Sequence, residues 1–197
     1  MSQDGSNGYD AVAEDFMRLR SSSGLATVRE WATALPRGGS VLDVGAGSGE
    51  PLTAALVDDG FDVCAVEASP RMVAAFRRHL PTVEIACEPA ECSRFFERTF
   101  DGAIAIGLLF LLPEDRQCSL LRKIAGALKP RGSLLFSAPR QACSWVDHLT
   151  GRESTSLGAK QYRRLLAGSG LRVTREHLDE GESYYYEAWK EPARPAA

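Results

Sequence analysis

The sequence has no apolar run that could cross a bilayer as a helix. The longest, around Ala103–Leu112, is about half of the roughly 20 residues a spanning helix requires. It has no surplus of positive charge either. The formal net charge is −3, which does not resemble the basic footprint of a nucleic-acid binder. Metal-ligand spacing is missing as well. Cys64, Cys87, Cys92, Cys118 and Cys143 form no Cys-x-x-Cys pair, and the three histidines are widely scattered, so no metal site is expected. The opening MSQDGSNGYD is polar and acidic, unlike a secretory signal. With an odd number of cysteines, it leads us to expect reduced thiols and a cytoplasmic location. No membrane or nucleic-acid partner is expected, and the oligomeric state is left open.

What is present is a regular alternation. A chain of 197 residues with 44% hydrophobic and 25% charged residues suits one globular domain with a full core. From residue 40 onward, short apolar runs alternate with helical segments. SVLDVG, FDVCAVE, TVEIAC, FDGAIAIGLLFLL and SLLFSAP read as strands. PLTAALVDDG, SPRMVAAFRRHL, a shorter AECSRFFER and PEDRQCSLLRKIAGALKPRG, the last closed by Pro130 and Gly132, read as the intervening helices. Strands linked through helices imply right-handed crossovers and a Rossmann-like, doubly wound, mostly parallel α/β sheet. LGAKQYRRLLAGSG reads as a fifth helix of this kind, and LRVTREHLD and ESYYYEAWK as two final strands. Their short connection makes them an antiparallel C-terminal hairpin at one edge of a seven-stranded sheet. Three successive tyrosines on a strand place Tyr184 and Tyr186 on one face and Tyr185 on the other. That arrangement suits an edge-strand packing surface or a contact with substrate or a second copy. Ahead of the sheet, YDAVAEDFMRLR and LATVREWATAL read as amphipathic helices. The expected organisation is one domain over 1–197: N-terminal helices in 1–38, an α/β core in 40–190 and a tail in 191–197.

VLDVGAGSGE, residues 41–50, carries the chemistry. Glycines at 45, 47 and 49 follow a strand, and ligands of doubly wound sheets lie at such strand ends. A dinucleotide needs G-x-G-x-x-G. Counted from Gly45 the third glycine is replaced by Glu50, and counted from Gly47 by Leu52. Glu50 would also set a negative charge where a pyrophosphate should meet a helix N-terminus. The Walker pattern is missing too. Asp43 and Glu50 instead suit an adenosine that carries cationic groups.

On these residues the chain resembles the class I S-adenosylmethionine-dependent methyltransferases, in the form that acts on small molecules. The resemblance runs from about Tyr9 to Leu171 and is clearest over 41–112. It implies S-adenosylmethionine as cofactor, with Asp43, Gly45, Ala46, Gly47 and Gly49 around its methionine part. It implies that Glu67, followed by Ala68 in CAVEASP, accepts both ribose hydroxyls, for which a carboxylate has the acceptors. Glu88, followed by Pro89, would receive the adenine amino group, with Glu91 in reserve. Here the match is looser, because Pro89 stands directly after the acid. The backbone near Gly107 and Leu108 would border the methionine part. No Asn/Asp-Pro-Pro-aromatic motif follows, which disfavours a nucleobase amine as acceptor. Tyr9 opens a helix that in similar proteins folds over the cofactor as a lid, so 1–38 would form that lid.

Direct in-line methyl transfer needs positioning more than a catalytic dyad, and only a hydroxyl acceptor calls for a base. The long segment APRQACSWVDHLTGRESTSLG reads as an irregular loop at the ligand end of the sheet. Its Trp145, Asp147, His148 and Arg152 suit a polar small-molecule acceptor. His148 is the best single candidate for a base. The expected activity is methyl transfer to a small molecule. The alternatives are a module that binds S-adenosylmethionine without turnover and a nicotinamide-dependent oxidoreductase.

Overall fold

A computed structural model describes residues 4–192. Helices α1 (Ala13–Leu19) and α2 (Leu25–Ala32) precede β1 (Ser40–Val44). Then come α3 (Leu52–Asp58), β2 (Asp62–Glu67), α4 (Pro70–His79) and β3 (Glu84–Cys87). Next are β4 (Phe100–Ala105), α5 (Glu114–Ala127) and β5 (Leu128–Ser137). The chain continues through β6 (Ala142–Val146), β7 (Glu153–Leu157), α6 (Ala159–Gly168), β8 (Leu171–Leu178) and β9 (Tyr184–Lys190). Among the described residues no helix is long and apolar enough to cross a membrane. Of the C-terminal stretch read as a tail, residues 193–197 lie outside the described residues.

Seven strands form one sheet in the order β3-β2-β1-β4-β5-β9-β8. The five strands from β1 to β5 pair in parallel, and β9 is antiparallel to both of its neighbours. This is the Rossmann-like sheet expected from the alternating pattern. β1 is buried along its whole length, as a central strand covered by helices on both faces must be. Val41, Leu56 and Trp31 fill one face, and Val44, Phe100 and Leu120 fill the other. Burying each large apolar side chain contributes about 1.5–3 kcal/mol. α4 shows how local signals fix an element. Ser69 caps it by accepting a 3.1 Å bond from the Met72 N–H, Pro70 occupies its first turn, and Arg77, Arg78 and His79 stand in its last turn, toward the negative end of its dipole.

Four expectations are corrected by packing. The segment 139–156 is not an irregular loop. β6 and β7 form a separate antiparallel ribbon, with a Ser144–Thr155 hydroxyl pair at 2.9 Å. Mostly polar residues on both faces hid it, because its strand character comes from pairing rather than from an apolar period. AECSRFFER makes no α-helix. Phe95, Phe96 and Glu97 all have positive φ (48°, 59° and 55°), in a tight turn that buries the Phe95 ring beneath the Lys123 ammonium at 5.5 Å. Pro130 and Gly132 lie inside β5 rather than closing α5, at a register shift in its pairing with β4. Finally, the terminal hairpin is at the edge, but only β8 is the edge strand. β9 is inserted between β5 and β8. Its tyrosines therefore serve the core. Tyr186 stacks on Phe136 at 4.7 Å, and Tyr185 lies on the opposite face among Val28 and Trp31.

Candidate active site

The strand order reverses between β1 and β4, and the chain leaves both strands there on the same side. A cavity of about 380 Å³ opens at this point, within the range of small-molecule sites. The turn after β1 forms its floor. Its backbone is held by bonds from the Gly45 and Ala46 N–H groups to the Val66 carbonyl, at 2.8 and 3.1 Å. Asp43, Gly45, Ala46, Gly47, Glu67, Ala68, Gly107, Leu108 and Tyr9 all line this cavity, so most of the residues singled out in the sequence converge.

Three do not line it. Gly49 is turned away, with φ of 83° and Phe76 and Leu80 only 2.8 Å from where a Cβ would stand. Its place is the packing of the turn against α4. Glu88 and Pro89 also lie outside the lining, whereas Ala90 and the reserve acid Glu91 belong to it. Glu91 is already paired with Arg116 at 2.9 Å. In the ribbon, Trp145 and Asp147 face the cavity, but His148 is exposed and outside the lining. Arg152 is engaged elsewhere, bound to Asp4 at 2.9 Å.

Two carboxylates organise the floor. Glu67 is buried at the end of β2. One of its oxygens accepts the Gly47 N–H at 2.9 Å and the other the Ser69 N–H at 2.8 Å. It thereby ties the glycine turn to the start of α4, and each oxygen keeps further acceptor capacity. Burial raises its pKa, against the lowering effect of those bonds. Asp43 accepts a 2.6 Å bond from the Thr53 hydroxyl at the start of α3. Its own burial pushes its pKa up to about 6, with Thr53 and Arg20 opposing.

The N-terminal segment roofs the cavity through bonds to three separate elements. The Tyr9 hydroxyl donates to Asp147 at 3.0 Å, and the Asn7 amide donates to the Leu111 carbonyl at 2.8 Å. Asp10 accepts from the Ser69 hydroxyl at 2.7 Å and from the Arg71 N–H at 3.0 Å, at the N-terminus of α4. Tyr9 meets Phe16 edge-on at 5.5 Å, and Trp145 meets Phe110 at 5.2 Å. All four rings line the cavity.

A family model described as a methyltransferase domain matches residues 41–132. That match runs from β1 into β5, just under half of the chain. Solved structures agree on the fold. The methyltransferase CcbJ from Streptomyces caelestis superposes with a TM-score of 0.75 at 17% identity, covering 97% of this chain and 100% of that one. The glycopeptide N-methyltransferase MtfA, complexed with S-adenosyl-L-homocysteine, gives 0.70 at 20% identity over 89% and 95%. CalS10, an amino pentose methyltransferase from Micromonospora echinaspora solved with S-adenosylmethionine bound, gives 0.69 at 16% over 90% and 95%. No curated protein sequence matches.

The cavity is strongly acidic. Among the described residues, Asp43, Glu50, Glu67, Glu91 and Asp147 line it against Arg20 alone. Arg20 and its neighbour Phe16 were missed in the sequence. Phe16 lies on α1, and Arg20 is the extended residue that follows its last turn, a placement the helical period does not give. The guanidinium stands 6.0 Å from the Phe16 ring centre.

Proposed function

We propose that this protein is a methyltransferase that transfers a methyl group from S-adenosylmethionine directly to a small-molecule acceptor. The observation that carries this reading is the glycine turn opening onto a cavity lined by five carboxylates and one guanidinium. Such a lining attracts a ligand with sulfonium and ammonium groups and repels a pyrophosphate. The residues fit the cofactor. Glu67 retains acceptors for a cis-diol, and Asp43 offers a buried negative charge beside the turn. Gly45, Ala46, Gly47, Gly107 and Leu108 let the chain approach the methionine part closely, while Ala68 and Ala90 give an apolar wall to the adenine. Arg20 is the one group there suited to the cofactor's carboxylate. The bound cofactor supplies an activated methyl group. This chain's part is to hold and orient both reactants and to exclude water beneath the roof formed by the N-terminal residues, so that residues 4–38 act as a lid over the 40–190 core.

Neighbours of the same fold act on a glycopeptide or an amino pentose by their names, which agrees with a small polar acceptor here. Trp145 and Asp147 on the ribbon are the acceptor contacts. Calorimetric titration with S-adenosylmethionine, S-adenosylhomocysteine and NAD tests the reading. The first two should bind and NAD should not. Saturable NAD binding in the same cavity would overturn it. Release of S-adenosylhomocysteine with a methylated acceptor distinguishes turnover from binding alone.

A further inference from the structure

We propose that the acceptor is an amine, recognised as its ammonium form by Asp147 and the Trp145–Phe110 ring pair. This rests on the methyltransferase reading of the same cavity and names its substrate class.

The cavity wall on the ribbon side has its own chemistry. Asp43 and Glu67 come from the sheet, whereas Trp145 and Asp147 come from the ribbon and the turn that follows β6. The two oxygens of Asp147 are used unequally. Oδ1 accepts three bonds, from the Leu149 N–H at 3.1 Å and from the Thr150 N–H and hydroxyl at 2.8 Å each. Oδ2 accepts only the Tyr9 hydroxyl at 3.0 Å among the described residues, so it keeps room for another donor. Burial works against ionisation here. The bonds from Thr150, Tyr9 and Leu149 outweigh it and hold the carboxyl below the usual carboxylate range. The Tyr9 hydroxyl bonds this fixed negative charge, and the rings of Trp145, Phe110 and Phe16 line the same cavity. Aromatic faces around a carboxylate favour a cation.

Other acceptors fare worse. A hydroxyl needs a base in the transition state. Around Asp147 none is placed for this: His148 is outside the cavity lining, Asp147 is held too acidic, and burial raises the Tyr9 hydroxyl far above neutrality, with the Asp147 charge adding to it; Asp43 is bonded to Thr53 at the glycine turn, on the cofactor side. A carboxylate or phosphate acceptor would meet five negative side chains and one positive one. An ammonium is attracted, and it needs only to release one proton to water before reaction. The nitrogen lone pair then forms the N–CH₃ bond while the C–S bond breaks, its electron pair staying on sulfur. The nitrogen regains a positive charge, which Asp147 is placed to stabilise.

The test uses the complex with S-adenosylhomocysteine, titrated calorimetrically at neutral pH with benzylamine, benzyl alcohol and benzoate. These probes share a ring and differ in charge. Benzylamine should bind about tenfold or more tighter than the other two, and Asp147→Asn should abolish most of that preference. Asparagine keeps the Oδ1 acceptor of the turn while removing the charge. If that variant does not fold, Trp145→Leu should weaken benzylamine more than benzyl alcohol. Equal binding of benzyl alcohol or benzoate, absence of benzylamine binding, or a preference that survives Asp147→Asn overturns the amine assignment. Failure of S-adenosylhomocysteine itself to bind would instead overturn the methyltransferase reading on which it rests.

Discussion

Replacing Glu67 by glutamine separates two jobs that the structure gives to one carboxylate. Glu67 accepts the Gly47 and Ser69 N–H groups with different oxygens. Glutamine has one oxygen and one amide group, so one of these buried N–H groups loses its acceptor. An unmet buried donor costs about 1–3 kcal/mol, and removing a charge that burial disfavours offsets part of this. At about 2–4 °C of Tm per kcal/mol for a chain of this size, the apo protein should melt about 2–8 °C lower. Binding suffers separately. A charge-assisted hydrogen bond to a ribose hydroxyl contributes about 1.5–3 kcal/mol, so the Kd for S-adenosylmethionine should rise by about 10- to 150-fold. Scanning calorimetry of the apo protein and titration calorimetry at a temperature where both variants are folded read the two effects independently. A lowered Tm with an unchanged Kd would refute the ribose assignment and leave Glu67 as a strut between the glycine turn and α4. Unchanged values for both would refute the hydrogen-bond reasoning as well.

Asp43, whose burial raises its pKa to about 6, makes cofactor affinity depend on pH. A cation beside it favours the ionised form, so binding releases protons, and affinity should rise about tenfold between pH 5 and pH 7. The apo protein shows the opposite sign: the native state holds the extra proton, so the contribution of Asp43 to stability falls as pH rises from about 4 through 6. Titration calorimetry at several pH values checks this, and a pH-independent Kd would contradict it. Gly49→Ala should lower stability by about 2 kcal/mol or more in chemical denaturation. Its φ is 83°, and the new Cβ would stand 2.8 Å from Phe76 and Leu80; an unchanged midpoint would show that the turn is not packed as described. Lys190→Met should cost about 1–3 kcal/mol, because the ammonium bonds the Ala125 and Leu128 carbonyls at 2.6 and 2.5 Å, at the end of α5. Equal urea midpoints for the variant and the parent would exclude that role.

The sequence by itself determined the sheet and the floor of the site. Alternating apolar strands and helices imply a doubly wound, mostly parallel sheet, and the identity of Glu50 where a dinucleotide needs glycine follows from letters alone. Glu67 was legible through the family resemblance, in which the acid that ends the second strand meets the ribose. The tertiary structure decided what depends on pairing between distant segments. It inserted β9 beside β5 rather than leaving it at the edge, because burying Tyr186 against Phe136 requires it there. It made the ribbon of β6 and β7, whose polar faces carry no period. It also sorted the candidate residues: Gly49 went to packing, His148 to solvent, and Glu91 rather than Glu88 to the cavity wall. Side chains only a few positions apart along the chain share the same spacing signals. Which of them faces a cavity is fixed by φ and by neighbours far away in sequence, as when Asp147 meets Tyr9 across 138 positions.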